Sequence, residues 1–166
     1  MTANILQSQM AEPYEIVPRV WFGPAQATLR YPNRFTHIIN CETDPHSTSP
    51  AAYNHVGRDR FLFLHSEDDD DFPILSRHLK AVTDCIDNAL CTDPSAQVYI
   101  HCVMGINRSA ALAVAYAITH HPYPVTLPEL IAHTRRGSHR LILTNQGFVR
   151  QLQHYVATRS NTDPKI

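Results

Sequence analysis

The residues best suited to chemistry lie together in one short stretch of this chain. Residues 101–109 read His-Cys-Val-Met-Gly-Ile-Asn-Arg-Ser, so an arginine follows a cysteine closely and a hydroxyl residue comes directly after the arginine. A cysteine thiolate is a nucleophile, and the planar arginine fork binds two oxygens of a phosphate. Cys102, Arg108 and Ser109 are therefore candidate catalytic residues for an attack on a phosphate ester.

The segments on either side predict a cradle for an anion. Residues 97–102 are apolar enough for a buried strand, and the alanine-rich residues 110–119 are typical of a buried helix. Amide N–H groups at a helix N-terminus attract anions and help a thiol there to ionise. Gly105 would allow the loop to turn with its amides pointing inward. The substrate-binding groups expected on this loop are the backbone amides of Val103, Met104, Gly105, Ile106, Asn107 and Arg108.

This stretch resembles the signature H-C-x-x-G-x-x-R-[S/T] of the cysteine-dependent protein tyrosine phosphatase superfamily, and most closely its dual-specificity branch. Further similarity in residues 16–23, 36–41, 61–68 and 140–152 extends the resemblance to about residues 14–157. It implies a compact dual-specificity phosphatase fold and hydrolysis through a phosphocysteine, with no metal and no cofactor. It also implies that Ser109 helps the sulfur to leave and that His101 braces the loop.

A general acid is needed to protonate the departing oxygen. Its source is expected in the acidic run 67–71, most of which is an ordinary solvated loop. Counting from the preceding strand by the spacing of similar enzymes indicates Asp68, whereas counting back from the following helix indicates Asp69. We prefer Asp68, because the strand is the nearer anchor, and both remain candidates.

The resemblance implies two more residues that support the loops. Arg140 matches an arginine that shapes a surface near the phosphate, and Asn145 matches an asparagine that holds the active-site loops. Thr144 stands where proline is usual, and Asn145 is equally suited to a turn or a helix cap.

Size and hydrophobic patterning predict one α/β domain spanning residues 1–166, with a central, mixed, mostly parallel sheet flanked by helices. Four strands and four helices are expected. The strands are predicted at 20–23, 36–41, 61–65 and 97–102. The helices are predicted at 74–91, from 110 to near 120–122, from a capping box at 126–129 to Gly137, and around 148–155, with residues 42–60 as a loop or broken helix.

Composition excludes several function classes. A net charge of −1 and the absence of a dense basic patch argue against nucleic acid, and no stretch has the character of a signal peptide or a membrane span. The four cysteines lack metal-ligand spacing and one is needed as a free thiol, so we expect the cytosol or nucleus. The eleven histidines are scattered and form no clean ligand set.

Three functions remain open. The first is a dual-specificity protein phosphatase acting on phosphotyrosine and phosphoserine or phosphothreonine in partner phosphoproteins. The second is an RNA 5′-phosphatase or triphosphatase, because Asn107 stands where most dual-specificity enzymes have serine and related RNA enzymes have asparagine. Arg135, Arg136, Arg140 and Arg150 would be its only concentration of positive charge. The third is a non-catalytic phosphate-binding module, which intact Cys102 and Arg108 disfavour.

Overall fold

One five-stranded sheet forms the centre of the molecule. The computed structural model describes residues 12–46 and 53–160. Its strands are β1 (Tyr14–Val17), β2 (Val20–Pro24), β3 (His37–Asn40), β4 (Phe61–Phe63) and β5 (Val98–Cys102). They lie in the order β1-β2-β5-β3-β4, where β1 pairs antiparallel with β2 and the other neighbours pair in parallel. The predicted mixed, mostly parallel sheet is confirmed.

Five helices surround this sheet in the described part of the chain. They are α1 (Gln26–Arg30), α2 (Ile74–Thr92), α3 (Arg108–His120), α4 (Leu127–Ser138) and α5 (Gln146–Ser160), and a short 3-10 turn covers Arg58–Arg60. Helix α3 contacts β2 and β5 on one side and α2, α4 and α5 on the others. Its alanines allow these close approaches, so the helix that follows the signature is enclosed by the rest of the domain.

Alternation along the strands divides the apolar residues between two cores. Ile39 and Ile100 belong to the large core shared with α2, α3, α4 and α5. Their neighbours Ile38 and Tyr99 point to the opposite face and pack with Phe35 in a smaller core. Because successive strand residues face opposite sides, β3 and β5 are buried on both faces. The end of β5 is thereby held rigidly in the middle of the sheet.

The predicted elements are present, with changes at their ends. The predicted helix at 74–91 is confirmed, and the predicted strands at 36–41, 61–65 and 97–102 are each shorter in the structure. β1 and α1 were not predicted, because each is too short for a clear hydrophobic period. The described part of the predicted loop at 42–60 contains the 3-10 turn, and residues 47–52 lie outside the described residues.

The predicted limits of α4 are half right. Thr126 accepts a hydrogen bond from the backbone N–H of Glu129, whose side chain accepts from the backbone N–H of Thr126, so the capping box is confirmed. The expectation that Gly137 ends the helix is wrong. His139 takes the left-handed conformation instead, at a φ of 53°. Gly137 lies inside α4, and a Cβ there would be 2.5 Å from the ring of Tyr14, so the close contact with β1 accounts for the glycine.

Candidate active site

The signature forms a cradle between the central strand and the enclosed helix. β5 ends at Cys102, as the sequence predicted, and α3 begins at Arg108, two residues before the predicted start at 110. Cys102 is 2% exposed and lies at the floor of the loop, whereas Val103 and Met104 are 48% and 57% exposed at its rim. The nucleophile is therefore recessed within a loop that opens at the protein surface.

Gly105 fits the loop against the end of β2. Its φ is +66°, and a Cβ would lie 2.3 Å from the carbonyl carbon of Gly23 and 2.5 Å from the nitrogen of Pro24. Both the backbone conformation and the close approach therefore require glycine. The predicted inward turn thus rests on contact with a strand far away in sequence.

Ser109 is placed to act on the sulfur of Cys102. Its Oγ lies 3.3 Å from Sγ and 3.5 Å from the carbonyl oxygen of Gly23. Both side chains are buried, so little water competes for the hydroxyl proton. The hydroxyl can donate to the sulfur when the sulfur is an anion.

Arg108 is buried, with donors left for a ligand. One terminal nitrogen, Nη1, donates to the carbonyl oxygen of Ser66 at 3.1 Å, and the side chain is 9% exposed. Its Nε has no hydrogen-bond partner among the residues that the structure describes. A buried N–H without a partner costs free energy that a bound oxyanion would recover.

Two neighbouring carboxylates have different surroundings. Asp68 accepts hydrogen bonds from Asn145 Nδ2 at 3.0 Å and from Asn107 Nδ2 at 3.1 Å. Asp69 instead accepts from the backbone N–H of Asp71 at 2.9 Å. Asp69 thus stabilises the turn of its own loop, whereas Asp68 contacts the cradle.

Asn145 performs both of the roles that the sequence left open. Its Oδ1 accepts from the backbone N–H of Phe148 at 3.1 Å, which caps α5. Its Nδ2 holds Asp68. Thr144, which replaces the usual proline, is exposed, and its backbone N–H donates to Asn107 Oδ1 at 2.8 Å.

His101 lies fully buried beside the cradle. Its Nε2 is 3.0 Å from the hydroxyl of Tyr53. Burial, helped by the charge of Arg108, lowers the pKa of His101 to about 3, although a hydrogen bond with the backbone of Cys102 opposes the shift. The ring is therefore neutral at ordinary pH, and its 3.8 Å approach to Glu42 is not an ion pair. This agrees with a bracing role.

Arg140 is not part of the surface. Its side chain is 2% exposed, its Nη1 donates to the carbonyl oxygen of Glu12 at 2.6 Å, and its guanidinium lies over the ring of Phe22. Desolvation lowers the pKa of Arg140. The expectation that it shapes a surface near the phosphate is therefore wrong. It contacts β2 at Phe22, next to the residues of β2 that pack against Gly105.

Three contacts of the site were not predicted. They are the carbonyl of Ser66, the backbone of Gly23 and the side-chain bonds of Asn107. All three join segments distant in sequence, so no local pattern could have indicated them.

Membrane spans and metal clusters are both lacking in the part of the chain that the structure describes. Within residues 12–46 and 53–160, no helix has the length and apolar character needed to cross a bilayer. In the same residues no three His, Cys, Asp or Glu side chains are grouped to hold a metal ion.

Fold and site together have the arrangement of a cysteine-dependent phosphatase domain, with a nucleophile in an anion loop between a central strand and a buried helix. The family model described as "Dual specificity phosphatase, catalytic domain" matches residues 23–158, and the chain belongs to this family. The predicted family and fold class are confirmed.

Known proteins place the chain in the same group. It is 36% identical over 117 residues to Dual specificity protein phosphatase 26 of Bos taurus, a match that covers 70% of this chain and 52% of that protein. The chain thus spans about half the length of the curated relatives it matches.

Two solved structures share the fold. One is human DUSP28, with a TM-score of 0.70, 20% identity and coverage of 89% of this chain and 95% of that chain. The other is a human tyrosine phosphatase-like serine/threonine/tyrosine-interacting protein, with a TM-score of 0.70, 25% identity and coverage of 90% and 99%.

Proposed function

We propose that this chain is a dual-specificity protein phosphatase, hydrolysing phosphotyrosine and phosphoserine or phosphothreonine in partner phosphoproteins through a phosphocysteine. One observation carries the proposal: the buried sulfur of Cys102 lies 3.3 Å from the hydroxyl of Ser109, beside a buried arginine. The Nε of that arginine, Arg108, lacks a partner in the described part of the chain. A nucleophile, a donor to the leaving sulfur and an arginine with an N–H left for a phosphate oxygen thus belong to one strand–loop–helix unit.

In the first step the Cys102 thiolate attacks phosphorus in line. A sulfur–phosphorus bond forms while the bond from phosphorus to the substrate oxygen breaks. Arg108 holds two of the phosphoryl oxygens, and the loop amides hold the rest, so the negative charge of the transition state is stabilised by fixed donors.

Asp68 supplies the proton for the departing oxygen. Its carboxylate is tied to Asn107 on the cradle, and the carbonyl of Ser66, two residues earlier, is tied to Arg108. Asp69 is turned toward the backbone N–H of Asp71. These contacts favour Asp68 over Asp69 as the general acid.

In the second step water hydrolyses the phosphocysteine. Asp68, now ionised, takes a proton from the water as the oxygen attacks phosphorus and the sulfur–phosphorus bond breaks. The hydroxyl of Ser109 donates to the sulfur as it becomes a thiolate again. Cys102 then returns to its starting state.

The shape of the opening supports action on side chains of different lengths. Val103 and Met104 are exposed, so the loop that contains Cys102 lies at the protein surface. A phosphate on a short serine or threonine side chain can reach such a site, and so can one on tyrosine.

An RNA 5′-phosphatase would depend on Asn107 and on four arginines. Asn107 and two of these arginines make contacts within the protein instead. The amide of Asn107 is bonded to Thr144, Asn145 and Asp68. Arg140 is buried, and the Nε and Nη2 of Arg135 donate to the carbonyl of Ile142. With these two arginines used internally, little concentrated charge is left to follow an RNA backbone.

The test is to offer the purified chain a phosphotyrosine peptide, a phosphothreonine peptide and a 5′-triphosphorylated RNA, and to measure phosphate release. We expect release from both peptides and little from RNA. Cys102→Ser should abolish release while still binding phosphate, because the cradle amides and Arg108 remain. Release that persists in Cys102→Ser would disprove the mechanism, and binding without turnover in the unaltered chain would indicate a phosphate-binding module.

We further propose that the chain works in a reducing compartment, the cytosol or nucleus. All four cysteines are free, including the nucleophile, whose function depends on a reduced sulfur.

A further inference from the structure

The side chain of Asn107 bridges three loops of the site. Its Oδ1 accepts from the backbone N–H of Thr144 at 2.8 Å, from the Thr144 hydroxyl at 3.2 Å and from the backbone N–H of Asn145 at 3.0 Å. Its Nδ2 donates to Asp68 Oδ2 at 3.1 Å. The amide plane is therefore fixed by the closing loop, and its N–H points to the acid.

The other oxygen of Asp68 is held in the same way. Asn145 Nδ2 donates to Asp68 Oδ1 at 3.0 Å, and Asn145 is itself fixed by the N–H of Phe148 at the start of α5. Each carboxyl oxygen thus receives one amide N–H from a side chain that is anchored elsewhere.

This arrangement suits the carboxylate better than the carboxylic acid. An amide nitrogen cannot accept a hydrogen bond, and the Oδ1 of Asn107 already accepts from three donors. Asn107 therefore cannot turn over to accept from a protonated Asp68 without losing its anchors. The amide bond to the oxygen that carries the proton is weaker in the acid, because a hydroxyl oxygen accepts less strongly than a carboxylate oxygen, and it strengthens once the proton has passed to the leaving oxygen.

We infer that Asn107 is a positioning residue for proton donation: it holds Asp68 at the cradle and stabilises the carboxylate left behind when the substrate oxygen departs. The inference rests on the proposed phosphatase function, with Asp68 as the acid. It explains why an amide side chain immediately precedes Arg108, whose own Nη1 holds the same acid loop at Ser66.

The test compares two aryl phosphates that differ in their need for an acid. The p-nitrophenolate anion departs readily without being protonated, whereas the phenolate anion does not. kcat/KM includes the step that forms the phosphocysteine, so it reports this difference even where a later step limits kcat. Asn107→Ala should lower kcat/KM for phenyl phosphate about tenfold more than for p-nitrophenyl phosphate. Asn107→Ser, which is too short to reach both loops, should do the same.

The controls separate positioning from damage. Thr144→Val keeps the backbone N–H and removes the hydroxyl, one of the three donors to Asn107 Oδ1, so the ratio of the two kcat/KM values should change in the same direction but by less than in Asn107→Ala. In an Asp68→Asn background, Asn107→Ala should change that ratio no further, because its effect passes through Asp68.

Equal losses for the two esters in both Asn107 variants, or a further change of ratio in the Asp68→Asn background, would overturn the inference and leave the proposed function intact. If the unaltered chain hydrolyses neither ester nor any phosphopeptide, the proposed function itself fails. Phosphate binding and the melting temperature, measured on each variant, identify a variant that has lost its fold.

Discussion

Replacing Gly105 by alanine should damage the phosphate cradle in two ways at once. The residue has a φ of +66°, where an L side chain costs about 1–3 kcal/mol. The added Cβ would also lie 2.3 Å from the carbonyl carbon of Gly23, whereas ordinary contacts begin at 3.4 Å. About 1 Å of movement is therefore needed to relieve the contact.

The loop, and not the sheet, is expected to make that movement. β2 is paired with β1 on one side and with β5 on the other, so Gly23 cannot retreat. A displacement of the loop shifts the amides that bind phosphate, and an error of about 1 Å in such geometry can cost 100-fold in rate. We expect Gly105→Ala to lower kcat/KM for p-nitrophenyl phosphate by about 100-fold and to lower the melting temperature by about 2–4 °C for each kcal/mol lost.

Gly57→Ala is the matched control. Gly57 has a φ of −63°, is exposed, and a Cβ there would meet only the flexible side chain of Asp59. Both activity and melting temperature should stay close to those of the unaltered chain. If the kcat/KM of Gly105→Ala stayed within threefold of the kcat/KM of the unaltered chain (~0.6 kcal/mol), the loop would not be held tightly against β2.

Three further predictions concern charge and protons. Arg108→Lys should lower kcat/KM for p-nitrophenyl phosphate about 100-fold or more, because an ammonium lacks the planar fork; a loss below tenfold would show that charge alone suffices. Asp68→Asn should lower kcat/KM for phenyl phosphate by about 100-fold or more, with Asp69→Asn as the control, and the reverse result would identify Asp69 as the acid. Because burial lowers the pKa of His101 to about 3, the unfolded chain binds a proton from about pH 6.5 downward that the folded chain refuses, and stability is lost as pH falls. The free energy of unfolding should therefore fall less steeply between pH 6.5 and 3 in His101→Asn, by up to about 1.4 kcal/mol per pH unit. Denaturant titrations at several pH values would contradict the buried neutral ring if the free energy of unfolding depended on pH equally in both chains.

Local patterns were sufficient to predict much of the fold and the centre of the site. The buried residues of α2 recur every three or four positions, and the capping box of α4 joins residues three positions apart, so both can be recognised from near neighbours in the sequence. The cradle is equally local, because Cys102, Gly105 and Arg108 lie within one strand–loop–helix unit. The residue types and spacing of these seven positions were enough to predict an anion site with a nucleophile.

Contacts between distant segments decided what the sequence left open. Asp68 and Asp69 are adjacent and chemically identical, and they differ only in what the folded chain brings to each of them. Arg140 was expected near the surface from the family resemblance, yet its side chain is buried and donates to the carbonyl groups of Glu12 and Phe22. The predicted end of α4 was wrong because glycine commonly ends a helix, whereas Gly137 is accounted for by its close contact with Tyr14, more than a hundred residues earlier.

By itself, then, the sequence determined the reactive groups, their spacing and the α/β class, since all of these follow from short-range geometry. Only the tertiary structure decided which carboxylate faces the cradle, which arginines lie inside, and that Asn107 joins three loops. The physical reason is that a side chain of fixed chemistry takes its role from the donors, acceptors and space around it. Those surroundings come from strands and loops that meet only when the chain has folded.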